Sequence, residues 1–220
     1  GWRGQLVSCL VLMAAYWALL RFVPYNGQLP GLFRPDNNLA YYIDCTLQGH
    51  WQDGTPYTWI LTTLNFGAIT LMGVLGGGVI FRMRGFRAAG MLAFSGGLCL
   101  VAALLLEYDT PLIKHLFTTT MVLWSGGWCL LLLAVFHVVF DILPRSAWLA
   151  YPFQVVGCNA LLAYMLTNTP GLGGRSLWNS LAYPLFRWAE DNSLLYESLS
   201  YGLLWLMLWF LYRHKAFLKV

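Results

Sequence analysis

The segment PLIKHLFTTTMVLWSGGW, Pro111–Trp128, sets Lys114, His115, Thr118, Thr119 and Thr120 at the entrance to one of the most apolar runs in the chain. On a helix begun near Lys114, that residue would share a face with Thr118, Met121 and Ser125, while Thr120, Trp124 and Gly127 would share the adjacent one. A bundle-facing cation followed by hydroxyls is suited to holding a polar ligand or an acyl carrier. The competing account is structural: Lys114 snorkels to an interface and the threonines bond the carbonyls four residues before them.

Three other places carry groups capable of chemistry. Asn159, in GCNALLAY, falls in an apolar run. A buried asparagine must find partners or cost about 1–3 kcal/mol, so it marks an interhelical hydrogen bond or a site. His137 and Asp141 are one helical turn apart, the arrangement of an oriented general base, and equally of an ordinary helix-end pair. Arg82, Arg84 and Arg87 could bind phosphates, although membrane topology explains them as well. His50, His115 and His214 lack an obvious carboxylate partner and read as solvated.

Other signals are weaker. GLGG at 171–174 has no strand before it and is a poor phosphate loop, and Gly76, Gly77 and Gly78 read as a close helix crossing or a local unwinding. The cysteines, Cys9, Cys45, Cys99, Cys129 and Cys158, show no metal-type spacing, so neither a disulfide framework nor a metal site is expected.

The elements that must position these groups follow from composition. The 220 residues are 59% hydrophobic and 10% charged, whereas a soluble domain is about a quarter charged. Apolar runs near 5–23, 60–81, 88–106, 117–140, 150–168 and 198–212 are of the order of the roughly 20 helical residues that cross a bilayer, the last being short. Barrel-type alternation is absent, and helices alone then satisfy the backbone in hydrocarbon. The expected fold is an all-α polytopic membrane bundle of about six spans, read as one domain over 1–220. The start at Gly1 and the lack of a cleavage site after the first apolar run suggest a fragment whose first run is a span.

Arg3, the Arg82–Arg87 trio, Arg145, Arg213, Lys215 and Lys219 fall on one side of these runs, while Asp36, Asp44, Asp53, Glu107, Asp109, Glu190, Asp191 and Glu197 fall on the other. The positive-inside rule then puts both ends in the cytoplasm, with loops 24–59 and 169–197 outside. In the second loop Leu177, Leu181, Leu185 and Trp188 recur at helical spacing, which predicts a short amphipathic surface helix that Pro184 kinks or shortens.

Five segments, in order, resemble the C-terminal half of the heparan-α-glucosaminide N-acetyltransferase family and its bacterial relatives: AYYIDCTLQGHW with TWILTTLNFGAITLMGVLGG; TPLIKHLFTTTMVLWSGG; VVFD; YPFQVVGCNALLAYML; and the closing FLYRHKAFLKV. The resemblance implies a bacterial inner-membrane enzyme that moves an acetyl group from cytosolic acetyl-CoA to an amino sugar or glycan on the far side. Lys114, Thr118, Thr120, Asn65, Asn159 and Asp141 match family positions, so Lys114, Thr118, Thr120, Asn159 and Asn65 are the expected cofactor-binding or site-lining residues. The family's Asp-Pro-Glu-Gly is replaced here by TPYTW, so a carboxylate role on the acceptor side shifts to Asp53 or is lost. No stretch matches the family's catalytic histidine, which is expected upstream. Expected partners are the bilayer, a sugar acceptor, the missing N-terminal helices and further copies of the chain, with no nucleic acid. The alternative function is a transporter or carrier of a small polar solute.

Overall fold

The computed structural model describes residues 1–34, 36–49, 57–143, 148–171 and 175–217. Those residues are helical apart from turns and isolated bridges. Contacts group the chain into two compact units, 1–143 and 144–220. Among the described residues five helices are long and apolar enough to cross a membrane, or six if a bent pair counts as one span. The chain is therefore an all-α, polytopic integral membrane protein.

The first unit contains α1 (Trp2–Phe22), α2 (Leu39–Gln48), α3 (Thr63–Arg82), α4 (Phe86–Leu106) and α5 (Thr119–Phe136), the last continued by a π-helical turn, His137–Ile142. A helix of 20 residues such as α3 is about 30 Å long, the thickness of the hydrocarbon core. The short α3–α4 turn is possible because Gly85 takes a positive φ of 59°, a region that costs residues with a Cβ. Cys9, Met13, Ala68, Met72, Leu92, Val122, Leu130 and Ala134 form the core between the long helices.

Where the backbones come closest, small residues are obligatory. A Cβ on Gly96 of α4 would stand 2.8 Å from the Gly127 carbonyl oxygen of α5. The run Gly76–Gly78 is instead continuous helix, with Gly76 facing leucine side chains. The tight crossing thus lies at Gly96 and Gly127, driven by the packing that replaces the hydrophobic effect between helices in lipid.

The second unit contains α6 (Tyr151–Gly157), α7 (Ala160–Asn168), α8 (Leu177–Phe186) and α9 (Ser193–Arg213). Val155, Trp178, Ala182, Leu204 and Leu208 form its core. The Trp178 indole donates to the Ser200 carbonyl (3.0 Å), and the Ser200 hydroxyl to Asn179 Oδ1 (3.0 Å), so the polar atoms inside this core are paired.

Several expected boundaries shift for local reasons. The fifth apolar run is broken after Gly157, and its two helices meet at 61°. The last run starts at Ser193 rather than 198, because Asn192 caps it by accepting from the Leu195 amide (3.2 Å) and its polar first turns hide it from a hydropathy reading. The α2 helix, inside what reads as loop 24–59, is short and begins at the cap Asn38, which accepts from the Tyr41 amide (2.8 Å). A short helix does form over the segment expected to lie on the surface, α8, with Pro184 inside it and its end at Phe186.

Gly96→Val should destabilise the chain by about 1–3 kcal/mol through overpacking against fixed backbone. Gly97→Ala, where an added Cβ meets nothing within 4 Å, should be neutral or stabilising by up to about 1 kcal/mol. Thermal unfolding of both variants in detergent checks the pair.

Candidate functional site

The densest group of buried polar side chains in the first unit surrounds the connection between α4 and α5. Residues 111–118 are not helical; α5 begins at Thr119, with Thr118 as its cap. Lys114 therefore does not share a helix face with Thr118, Met121 and Ser125. Phe117 takes a positive φ of 47°, uncommon for a residue with a side chain, and the chain turns there into α5.

That turn leaves a row of carbonyls without helical partners, and side chains from three helices and the approach to α3 take them up. Tyr16 of α1 donates to the Leu116 carbonyl. The Thr58 hydroxyl approaches the His115 carbonyl at 3.4 Å and shares a 2.7 Å hydrogen bond with Thr62. Asn65 Nδ2 donates to the Phe117 carbonyl at 2.7 Å. From α5 itself, Thr120 donates to the Thr110 carbonyl (2.7 Å) and the cap residue Thr118 to the Pro111 carbonyl (3.1 Å), while Thr119 reaches across to the Met13 carbonyl of α1 (3.1 Å). All three threonines are buried and none bonds the carbonyl four residues back, whereas Ser125 does, to Met121 at 2.7 Å.

A second support lies beneath this collar. Asp44 of α2 is fully buried and accepts from the backbone amides of Trp59 (2.6 Å) and Ile60 (3.1 Å), just ahead of α3. Charge-assisted bonds to amides near a helix start are among the stronger ones. On the exposed rim, Asp109 accepts from Arg21 Nε (2.9 Å) and from the Trp17 indole (3.1 Å), tying the end of α1 to the same loop. Burial raises the Asp109 carboxyl, but its bonds to Trp17, Arg21 and Thr110 outweigh this and hold it below its ordinary value.

The expected site residues are thus only partly brought together. Asn65, Thr118 and Thr120 meet in the collar, and Lys114 lies exposed on the loop they hold. The Asn65 amide nitrogen is committed to Phe117, whereas its Oδ1 is buried without a partner among the described residues. His115 packs against the Tyr57 ring, with centroids 4.6 Å apart and ring planes tilted by 55°. Asn159 lies in the second unit, at the break between α6 and α7, and donates to the Ala216 carbonyl at 3.2 Å. Asp53, the expected acceptor-side carboxylate, and His50 lie outside the described residues. Tyr16, Asp44, Thr58 and Thr62 are collar residues that the motifs do not single out; an acid among apolar positions, as at Asp44, is the one signal that could have flagged them.

His137 and Asp141 do pair, Nδ1 to Oδ2 at 2.7 Å, within the π-helical turn. Nδ1 is the nitrogen that meets the carboxylate, so Nε2 is the one turned inward. Nε2 is buried and has no partner among the described residues. The imidazole is oriented as a base would be, with no exposed face at the nitrogen that would act.

No family model, curated protein or solved structure matches this chain. Among the described residues no group of three or more His, Cys, Asp or Glu side chains is placed to hold a metal ion.

Asp44→Ala leaves two backbone amides without their acceptor and should cost about 1–3 kcal/mol, read as a lowered unfolding temperature with helix content retained. The Asp109 tie follows a definite pH course. Because its carboxyl is held below the unfolded value of about 3.9, its stabilisation is present above that pH and is lost as pH falls through the lower folded value. Both partners are more than a third exposed, so the contribution is at most about 1 kcal/mol. Arg21→Gln should lessen this part of the acid sensitivity, leaving the share held by Trp17 and Thr110, measured as unfolding temperature between pH 3 and pH 6.

Proposed function

We propose that this chain forms the acceptor-side wall of a membrane acetyltransferase, which moves an acetyl group from cytosolic acetyl-CoA to an amino sugar or glycan across the membrane. Its membrane is a bacterial inner membrane, with both ends of the chain on the cytoplasmic side. The observation that carries this reading is the collar. Asp44, Asn65 and Thr118 come from three separate stretches of the segments that resemble the acetyltransferase family, and all three secure backbone around the α3 approach and the Lys114 loop. The loop is thereby presented on a rigid mount, as positioning a substrate requires. On this reading Lys114 approaches the acceptor or the acyl carrier, the threonines act through the loop backbone, and the catalytic histidine belongs to a segment outside these residues.

A carrier of a small polar solute is the second reading, and one observation favours it. The bent pair α6 and α7, with Asn159 at the break, resembles the discontinuous helices that form binding sites in transporters. Against it, two cavities of the first unit are lined almost wholly by apolar side chains.

The two readings separate in membranes carrying the chain together with its native upstream sequence. Transfer of labelled acetyl from acetyl-CoA to glucosamine, reduced at least tenfold by Lys114→Ala at equal expression, is the expected result. Solute flux without acetyl transfer, or transfer indifferent to Lys114, would overturn the acetyltransferase reading.

A further inference from the structure

In the first unit α1 packs chiefly on α3 and α4 packs on α5, so the faces of α1 and α4 above α3 stand apart. The gap is a cavity of about 600 Å³ that reaches the side of the bundle, within the range of small-molecule sites. Leu6, Leu10 and Leu98 border it and are 40%, 53% and 59% exposed, so its flank opens to the surroundings of the helices rather than to the collar.

The depth of this groove is specific. Its lining runs from Trp2 to Met13 on α1, from Met83, just past α3, back to Met72, and from Met91 to Ala102 on α4. Each stretch covers about 17 Å of helix rise, close to half of the roughly 30 Å hydrocarbon core. The groove is therefore one leaflet deep, starting at the helix ends that carry Arg3, Arg82, Arg84 and Arg87.

At that end stands a cation turned back along the helix. Arg82 lines the groove, and its guanidinium folds over Gly78: a Cβ at Gly78 would meet Arg82 Nη1 at 2.8 Å. No carboxylate pairs with Arg82 among the described residues. Glycine at 78 leaves room for the guanidinium, which is exposed at this helix end beside the mouth of the groove and open to an anion there. Arg84 and Arg87 follow in the turn and first residues of α4 and strengthen the positive field there.

We propose that the groove binds one anionic phospholipid of the arginine-side leaflet, its phosphate on Arg82 and one acyl chain lying over α3 between α1 and α4. Charge complementarity selects the headgroup and the one-leaflet depth selects the chain. Arg82 is the recognition residue; Arg87, which does not line the cavity, contributes only to the general field.

The chain together with its native upstream sequence is purified from phosphatidylcholine nanodiscs doped with phosphatidylglycerol, and retained lipid is counted by native mass spectrometry. One phosphatidylglycerol per chain is expected, retained at least tenfold more strongly than phosphatidylcholine. Arg82→Ala and the groove-filling Ser95→Phe should each weaken retention at least tenfold, and Arg87→Ala less than threefold, with circular dichroism confirming the fold. Should Arg82→Ala not fold, Arg82→Gln replaces it with the same expectation. Equal retention of the two lipids, equal losses in Arg82→Ala and Arg87→Ala, or no retained lipid, as when another helix fills the groove, would each overturn the proposal.

Discussion

The non-helical connection between α4 and α5 is buried at Thr110, Leu116 and Thr118, and a carbonyl shielded from water there must have a donor. The carbonyls of Thr110, Pro111, Ile113, Lys114, His115, Leu116 and Phe117 all accept hydrogen bonds, from Thr120, Thr118, Phe117, Thr58, Tyr16 and Asn65 among them. An unmet carbonyl here would cost about 1–3 kcal/mol, so several together exceed what a small bundle can lose. That constraint explains why α1, α3 and α5 each carry a polar side chain at one level, and why most of the buried polar side chains described in the first unit gather there. It also sets what Lys114 can do, because the backbone that presents it is held on nearly every side.

Much of the fold was legible because hydrocarbon imposes a simple rule. Runs of about 20 apolar residues must be helices, and the edges of α1, α3 and α4 fall within a few residues of the apolar runs. Where the rule weakens, the reading does too. Ser193, Glu197 and Ser198 disguise the first turns of α9, and α2 is too short and too polar to stand out in hydropathy. The break after Gly157 sits inside an unbroken apolar run; its only marker in the sequence is Asn159, a residue suited to a helix start.

The collar was only half legible. The density of polar atoms at Thr118, Thr119 and Thr120 was visible, but helical periodicity assigned them to faces of a helix that does not yet exist at Lys114. Two local signals point the other way: threonine is a favoured cap, and Pro111 begins the extended approach. The remaining members come from far along the chain. Tyr16 lies 100 residues from the carbonyl it meets, and Thr58 lies 57 from His115. A tyrosine inside an apolar helix reads as packing, because its hydroxyl and the carbonyl it serves are joined only by the folded chain. The tight crossing was misplaced for a similar reason: Gly76–Gly78 is the denser glycine run, yet contact is decided by which glycine faces a neighbouring backbone, and that is Gly96 against Gly127.

If side chains of α1 and α3 hold this loop, its amides should behave as part of the bundle. Hydrogen exchange of the Phe117 and Thr118 amides, which donate to the Lys114 and Ile113 carbonyls, tests this directly. The account predicts slow exchange, comparable with the first turn of α5, and selective acceleration of 113–120 in Tyr16→Phe while the middle of α4 is unchanged. Exchange as fast as an open turn in the native chain, or no response to Tyr16→Phe, would contradict it.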